Sequence, residues 1–435
     1  MEQAASVQIL QRACASLLLY QSVLEGEVGK AFLDLLQAIR YTDADGRSCL
    51  QAYGSYFQAL AAKNQNWEDY LITQILRADN PLTRLAQQGE IAMPTALLAA
   101  AQHDLQALHR LYKCSSAHLS QWVQAAAHLS VAPVVWYKES NSKEAHQLSI
   151  GQRLEQLENW ADALADLLVY YSEFGTGKFA EYQALRYAAG NFSGISHPDP
   201  ITMSELVGYE LQRETLVKNT EFLLAGYPAL HVLLYGSRGS GKSSLVKALL
   251  NEYSDRQLRL IEVAKSELQD LPLILLQLRG MPQKFIIFVD DLSFEADDDA
   301  FKALKVVLEG SVTARPQNVV VYATSNRRHL IREFFSDRPR PQDDEVHSWD
   351  TVQEKLSFSD RFGLTLTFEP ADQQTYLTIV RHLAAVEGIN ISPEDLEYQA
   401  LQWATRHNGR SGRTARQFIN FFRAEKSMVR INTNR

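Results

Sequence analysis

From residue 236 the chain reads Gly236-Ser237-Arg238-Gly239-Ser240-Gly241-Lys242-Ser243, which satisfies the spacing G-x-x-x-x-G-K-[ST], and Ser244 follows. These residue types in this order suit the holding of a chain of phosphates. Gly236, Gly239 and Gly241 let the backbone turn tightly and approach an anion, so that successive N–H groups and a helix N-terminus face the negative charge. Ser237, Arg238, Ser240 and Ser244 complete the cradle. Lys242 supplies a point charge to the outer phosphates, and the Ser243 hydroxyl is a ligand for Mg²⁺.

Such a loop works only between a strand and a helix. The apolar run Val232 to Tyr235 precedes it, and the helix-periodic segment through Leu250 follows it. Leu258 to Val263 reads as a second strand. Lys284 to Val289 is a third, and its apolar run ends in Asp290 and Asp291, which puts two carboxylates at the carboxyl end of a buried parallel strand. Asp290 is the expected Mg²⁺ organiser, through water, and Asp291 the neighbour that orients an attacking water. Asn318 to Asn326 reads as another buried strand; Asn326 either holds water or the γ-phosphate without titrating, or caps the next helix. Arg361 stands just before the strand-like Leu364 to Phe368. It either pairs with Asp360 or reaches a nucleotide on a neighbouring subunit. Upstream of the loop, Leu206 to Glu210 is either a simple helix entry or a wall for the adenine base.

The chain has 435 residues, 46% of them hydrophobic, which is enough for more than one core. Residues 1 to about 190 show apolar positions at three and four spacing with few Gly or Pro, which predicts an all-helical domain. Helix starts are legible at Ser115 and at Asn80-Pro81. Trp67, Trp122, Trp136 and Trp160 read as core rather than as a stacking surface. Phe174-Gly-Thr-Gly-Lys178 lacks a preceding strand and the earlier Gly, so it reads as a turn between helices. Residues 188–204 are rich in Gly, Pro and Ser and mark a boundary. The expected organisation is a helical domain at 1–190, a linker at 191–204, a phosphate-loop core at 205–370 and a helical lid with a basic tail at 371–435.

No 18-residue apolar run and no signal-like N-terminus is visible, so a soluble, cytoplasmic protein with no membrane span is expected. Cys14, Cys49 and Cys114 are odd in number, widely spaced and have no C-x-x-C partner, so neither a disulfide framework nor a zinc site is indicated. The formal net charge of -8 argues against a protein that coats nucleic acid along its surface. The segment from Leu401 to Arg435 is the exception, with eight Lys or Arg against the single acid Glu425.

Phosphate loop, Asp-Asp strand, strand-terminal Asn, Arg before the last strand and a Gly-Arg motif in a helical tail, in that order, resemble the AAA+ ATPase module over about residues 195 to 425. More closely, LLYGSRGSGKSSLVKALL, FVDDLSFE, YATSNRRHL, EKLSFSDRFGLTL and SGRTARQF resemble the AAA+ family catalogued as domain of unknown function 815. The resemblance implies an α/β fold, a parallel five-stranded sheet with a small helical lid, that binds ATP and Mg²⁺. It makes Lys242 and Ser243 the Walker A pair, Asp290 and Asp291 the Walker B pair, Asn326 sensor 1 and Arg361 an arginine finger acting in trans. Arg413 matches sensor 2, with Arg416 one helical turn on as the competing choice. The implied assembly is a homo-oligomer, a ring or open spiral, often of six. Two features depart from the pattern: the second Walker B acid is Asp rather than Glu, and the loop Ala264 to Pro272 after the second strand carries no aromatic, which counts against a protein-threading pore.

Three functions fit this chemistry. One is an ATPase that assembles or remodels a partner protein held by the helical domain. Another is a DNA-associated initiator- or loader-like ATPase, for which Arg327-Arg328 and the basic tail speak, although nucleic acid is not the favoured partner. The third is a nucleotide-gated scaffold with little turnover.

Overall fold

The computed structural model of the chain describes residues 2–433 except 91, 138–144, 294–298, 310–315, 327–360 and 408. It divides into two compact units, residues 1–181 and 182–435.

The first unit is helical, from Glu2–Ala15 to Gly177–Glu181. Its helix starts follow local chemistry. Asn80 accepts from the backbone N–H groups of Leu82 and Thr83 while Thr83 Oγ1 accepts from Asn80 N–H, and Pro81 occupies the first turn. Ser115 accepts from His118 N–H at 3.3 Å. Trp67 and Trp160 are fully buried, and Trp122 and Trp136 pack partly buried against the same core. Gly175 and Thr176 form the turn between Leu164–Phe174 and Gly177–Glu181. Burial pushes the thiols up, to about 12 for Cys14 and Cys114 and about 11 for Cys49, so none is a nucleophile near neutral pH.

One buried acid ties helix Thr95–Lys113 to the backbone that follows the first helix. The Asp104 side chain is fully buried and accepts from the N–H groups of Leu18, Leu19 and Tyr20 at 2.7–3.0 Å. Asp104→Ala would strand three donors, so it is expected to lower the unfolding free energy by about 3 kcal/mol. Urea denaturation followed by far-ultraviolet circular dichroism measures this; an unchanged midpoint would refute it.

The second unit is an α/β domain built on one sheet. Its strands are β1 (Ala184–Ala188), β2 (Asn191–Ile195), β3 (Val232–Gly236), β4 (Leu258–Val263), β5 (Lys284–Val289), β6 (Val319–Ser325) and β7 (Leu364–Phe368), in the order β2-β1-β4-β5-β6-β3-β7. Strands β4, β5, β6, β3 and β7 are mutually parallel, and every residue of β6 is buried, as a strand covered on both faces requires. Three helices, Gln373–Val386, Pro393–Arg406 and Gly412–Thr433, make a lid with its own core. A parallel sheet followed by a small helical lid is the α/β arrangement that the sequence resemblance implies.

The sheet has seven strands rather than five. β1 and β2 form a hairpin, and β1 pairs parallel to β4 with Arg186 opposite Glu262, joined at 2.8 Å. The hairpin lies across the expected end of the helical domain at 190 and the expected linker from 191. Ala184 to Ala188 alternates in burial after its first residue, and Ala189 and Gly190 both take positive φ (49° and 80°), which suits a two-residue hairpin turn. No described helix is long and apolar enough to cross a membrane.

Candidate active site

Parallel strands bring their carboxyl ends to one edge, and there the residues singled out by type and spacing meet. They line a cleft of about 610 Å³. Arg238 through Ser244 come from the phosphate loop, Asp290, Asp291 and Asn326 from the ends of β5 and β6, and Arg413 and Arg416 from the lid. Gly236, Ser237 and Arg361 do not line it.

Gly236 and Ser237 act from behind. Lys242 is only 6% exposed, and its Nζ donates to the carbonyls of Gly236 (3.0 Å) and Ser237 (2.7 Å), with Ser240 Oγ and Asn326 Oδ1 each at 3.4 Å. Burial pushes the Lys242 ammonium below the ordinary lysine value, and the Asp290 and Asp291 carboxylates oppose that shift. Gly236 is required by its neighbour strand: at φ 138°, a Cβ there would stand 1.9 Å from the Phe368 carbonyl oxygen, which accepts from Ser237 N–H. Gly239 touches the lid, since a Cβ on it would come within 2.9 Å of Ser411 Oγ, and its carbonyl accepts from Arg413 N–H at 3.1 Å. Gly241, at the start of helix Lys242–Tyr253, faces open space.

The acids are held by hydroxyl and amide groups. Asp290 Oδ1 accepts from Ser243 Oγ at 2.6 Å and from Thr324 Oγ1 at 2.5 Å. Thr324 Oγ1 in turn accepts from Asp291 N–H at 3.0 Å, and Asn326 Nδ2 donates to Asp291 Oδ1 at 2.6 Å. Asp291 has φ 53°, a left-handed conformation that costs a side-chain-bearing residue free energy and persists where surrounding bonds over-determine it. The Asn326 amide therefore meets Asp291; residues 327–330, where a following helix would begin, lie outside the described residues.

Thr324 is the member that sequence reasoning missed. It sits inside an apolar strand two residues before Asn326, and the only available signal was a hydroxyl at a position buried on all sides. Thr324→Val keeps its shape and removes both hydrogen bonds. Turnover is expected to fall roughly tenfold, the loss of one hydrogen bond to the Asp290 carboxylate, and thermal stability to fall modestly because Asp291 N–H loses its acceptor; wild-type turnover would exclude this role.

The donor set fits Mg²⁺. A hydroxyl and a carboxylate side by side, Ser243 and Asp290, match an ion that takes one or two protein ligands and completes its shell with water and phosphate oxygens. Among the described residues no group of three or more His, Cys, Asp or Glu offers a metal cage.

The two lid arginines differ. Arg416 Nη2 donates to Glu205 Oε2 at 2.7 Å, whereas the Arg413 guanidinium has no acceptor among the described residues. At the same end of the cleft Ile201, Leu206 and Val207 face Ile379 and Leu383, an apolar wall of the kind a base needs. Arg361 stands elsewhere. It precedes β7, whose Leu364 N–H donates to the His231 carbonyl at the start of β3, so it lies at the amino ends of the strands, opposite the phosphate loop.

Solved structures similar to this chain include the Thermotoga maritima RuvB Holliday junction branch migration motor, 17% identical over 54% of this chain and 67% of that one, at a TM-score of 0.37. Two single-residue variants of it are each 18% identical over 54% of this chain, covering 67% and 68% of theirs, again at 0.37. No curated protein matches. The family described as "Protein of unknown function (DUF815)" matches residues 179–426, more than half of the chain. With a match of that extent over the sheet, the phosphate loop and the lid, the chain belongs to the DUF815 family.

Proposed function

We propose that the protein is a Mg²⁺-dependent ATPase whose nucleotide state drives the assembly or remodelling of a partner protein held by its helical unit. One observation carries the chemistry: the Lys242 ammonium, the Ser243–Asp290–Thr324 bonds, the Asp291–Asn326 pair and the Arg413 guanidinium, which has no acceptor among the described residues, all converge on one cleft with an apolar end. Mg²⁺, when bound, neutralises charge on the transferring phosphoryl group. Lys242 and Arg413 bind the phosphates. Asp291, its carboxylate aimed by Asn326, orients the attacking water. Arg361 lies at the amino ends of the strands and does not line its own cleft, which supports its use as a finger in a neighbouring copy and hence a homo-oligomer as the working form.

DNA association is the second reading, and the lid weakens it. Of the basic residues after Leu401, Arg410, Arg416, Arg423 and Lys426 already donate to acceptors within the unit. Arg327-Arg328 lies outside the described residues. Steady-state ATPase rate against protein concentration, with and without DNA, separates the readings. A rate per subunit that rises with concentration supports the shared site, stimulation by DNA supports the second reading, and tight binding without turnover would leave a nucleotide-gated scaffold.

A further inference from the structure

Residues 199–207 are pinned at both ends. The phosphate-loop helix Lys242–Tyr253 holds the first end: Asn251 Nδ2 donates to the carbonyls of Asp199 (2.8 Å) and Ile201 (2.6 Å), and Lys247 pairs with Asp199 at 3.3 Å. The lid holds the other. His382 Nε2, from helix Gln373–Val386, lies 2.6 Å from the Ser204 carbonyl, an arrangement that requires the nitrogen to carry the proton. Glu205 is fully committed. Its Oε1 accepts from Thr202 N–H and Oγ1, both at 3.2 Å, and its Oε2 accepts from Arg416 on helix Gly412–Thr433 at 2.7 Å. The pair is shielded, with side chains 33% and 23% exposed, and Arg416 together with the Thr202 donors holds the Glu205 carboxyl below the ordinary glutamate value.

The consequence is geometric. Ile201, Leu206 and Val207 belong to the pinned segment, Ile379 and Leu383 belong to the lid, and together they wall one end of the cleft. The lid cannot swing away from the sheet without breaking Arg416–Glu205 and His382–Ser204. We propose that Glu205 and Arg416 are positioning residues which clasp this segment to the lid and so form the base-binding wall, leaving Arg413 as the lid arginine that meets phosphate. Affinity for the base portion of the nucleotide then depends on the pair, and affinity for the phosphates does not. The inference rests on the ATPase reading and gives Arg413 and Arg416 separate tasks.

A probe without a base separates the two contributions. Calorimetric titration with a non-hydrolysable ATP analogue and with inorganic tripolyphosphate, both with Mg²⁺, compares wild type with Glu205→Gln, Arg416→Gln and the double variant. Each single variant is expected to weaken the analogue about three- to tenfold and to leave tripolyphosphate unchanged. The double variant should be no worse than either single, because the two changes remove one interaction. Tripolyphosphate weakened as much as the analogue by Arg416→Gln, or strengthened by Glu205→Gln, would make Arg416 a phosphate ligand and overturn the proposal. An unchanged analogue affinity would overturn it too. Wild type that binds neither probe would instead remove the ATPase reading, and the clasp's role with it.

Discussion

Replacing Lys242 by alanine is expected to abolish ATP turnover and to weaken ATP binding roughly a hundredfold, the equivalent of one or two hydrogen bonds made by a charged group. The size follows from two roles. The ammonium is a positive charge in a buried position, 6% exposed, where its field is weakly screened. It also closes the loop on itself through the carbonyls of Gly236 and Ser237 and reaches the β6 end at Asn326. Truncation removes charge from the phosphates and leaves two inward carbonyls without their donor. Lys242→Met separates these roles from packing, since it fills the same channel without charge; it should be as inactive as Lys242→Ala while melting closer to wild type. Turnover in either variant at the wild-type rate would show that the observed hydrolysis arises elsewhere.

Much of this site was legible because its positions follow from chain direction alone. A buried parallel strand reads as a continuous apolar run, and whatever polar residue ends the run arrives at the carboxyl edge, which is how Asp290, Asp291 and Asn326 could be assigned from spacing. The first phosphate-loop glycine was identified for a partial reason. Its approach to a phosphate was expected, but the closest demand on Gly236 comes from the Phe368 carbonyl, and no local pattern encodes a neighbour 132 residues away in the chain. The Glu205–Arg416 pair, 211 residues apart, was hidden for the same reason. Without an acid partner in view, Arg413 and Arg416 looked equivalent. The β1–β2 hairpin was divided between the helical region and the linker because a five-residue strand, Ala-Leu-Arg-Tyr-Ala, carries a weak period-two signal, and its turn lacks the Asn-Gly or Asp-Gly pair that announces a hairpin.

Arg361→Ala is expected to lower turnover by about 10³- to 10⁵-fold, the contribution of an arginine finger, while leaving ATP affinity nearly unchanged. The structural reason is its place at the amino ends of β3 and β7, with the phosphate loop at the other end of β3. A group on that side cannot neutralise charge in its own cleft, so its loss should behave as a defect in the neighbour. Mixing tests this directly. Lys242→Ala subunits cannot fire their own site but still carry Arg361, and Arg361→Ala subunits retain a complete phosphate loop. Each alone should be inactive. Together in equal amounts they should recover about a quarter of the wild-type rate per subunit, because in a random head-to-tail assembly half of the subunits keep Lys242 and half of those face a neighbour with Arg361. Recovery should also fall on dilution as the assembly dissociates. If the mixture stays silent while wild type turns over at a concentration-independent rate, the finger does not act between copies, and the site must be complete within one chain. Arg238, exposed at the tip of the phosphate loop and without an acceptor among the described residues, is then the cation left to supply that charge.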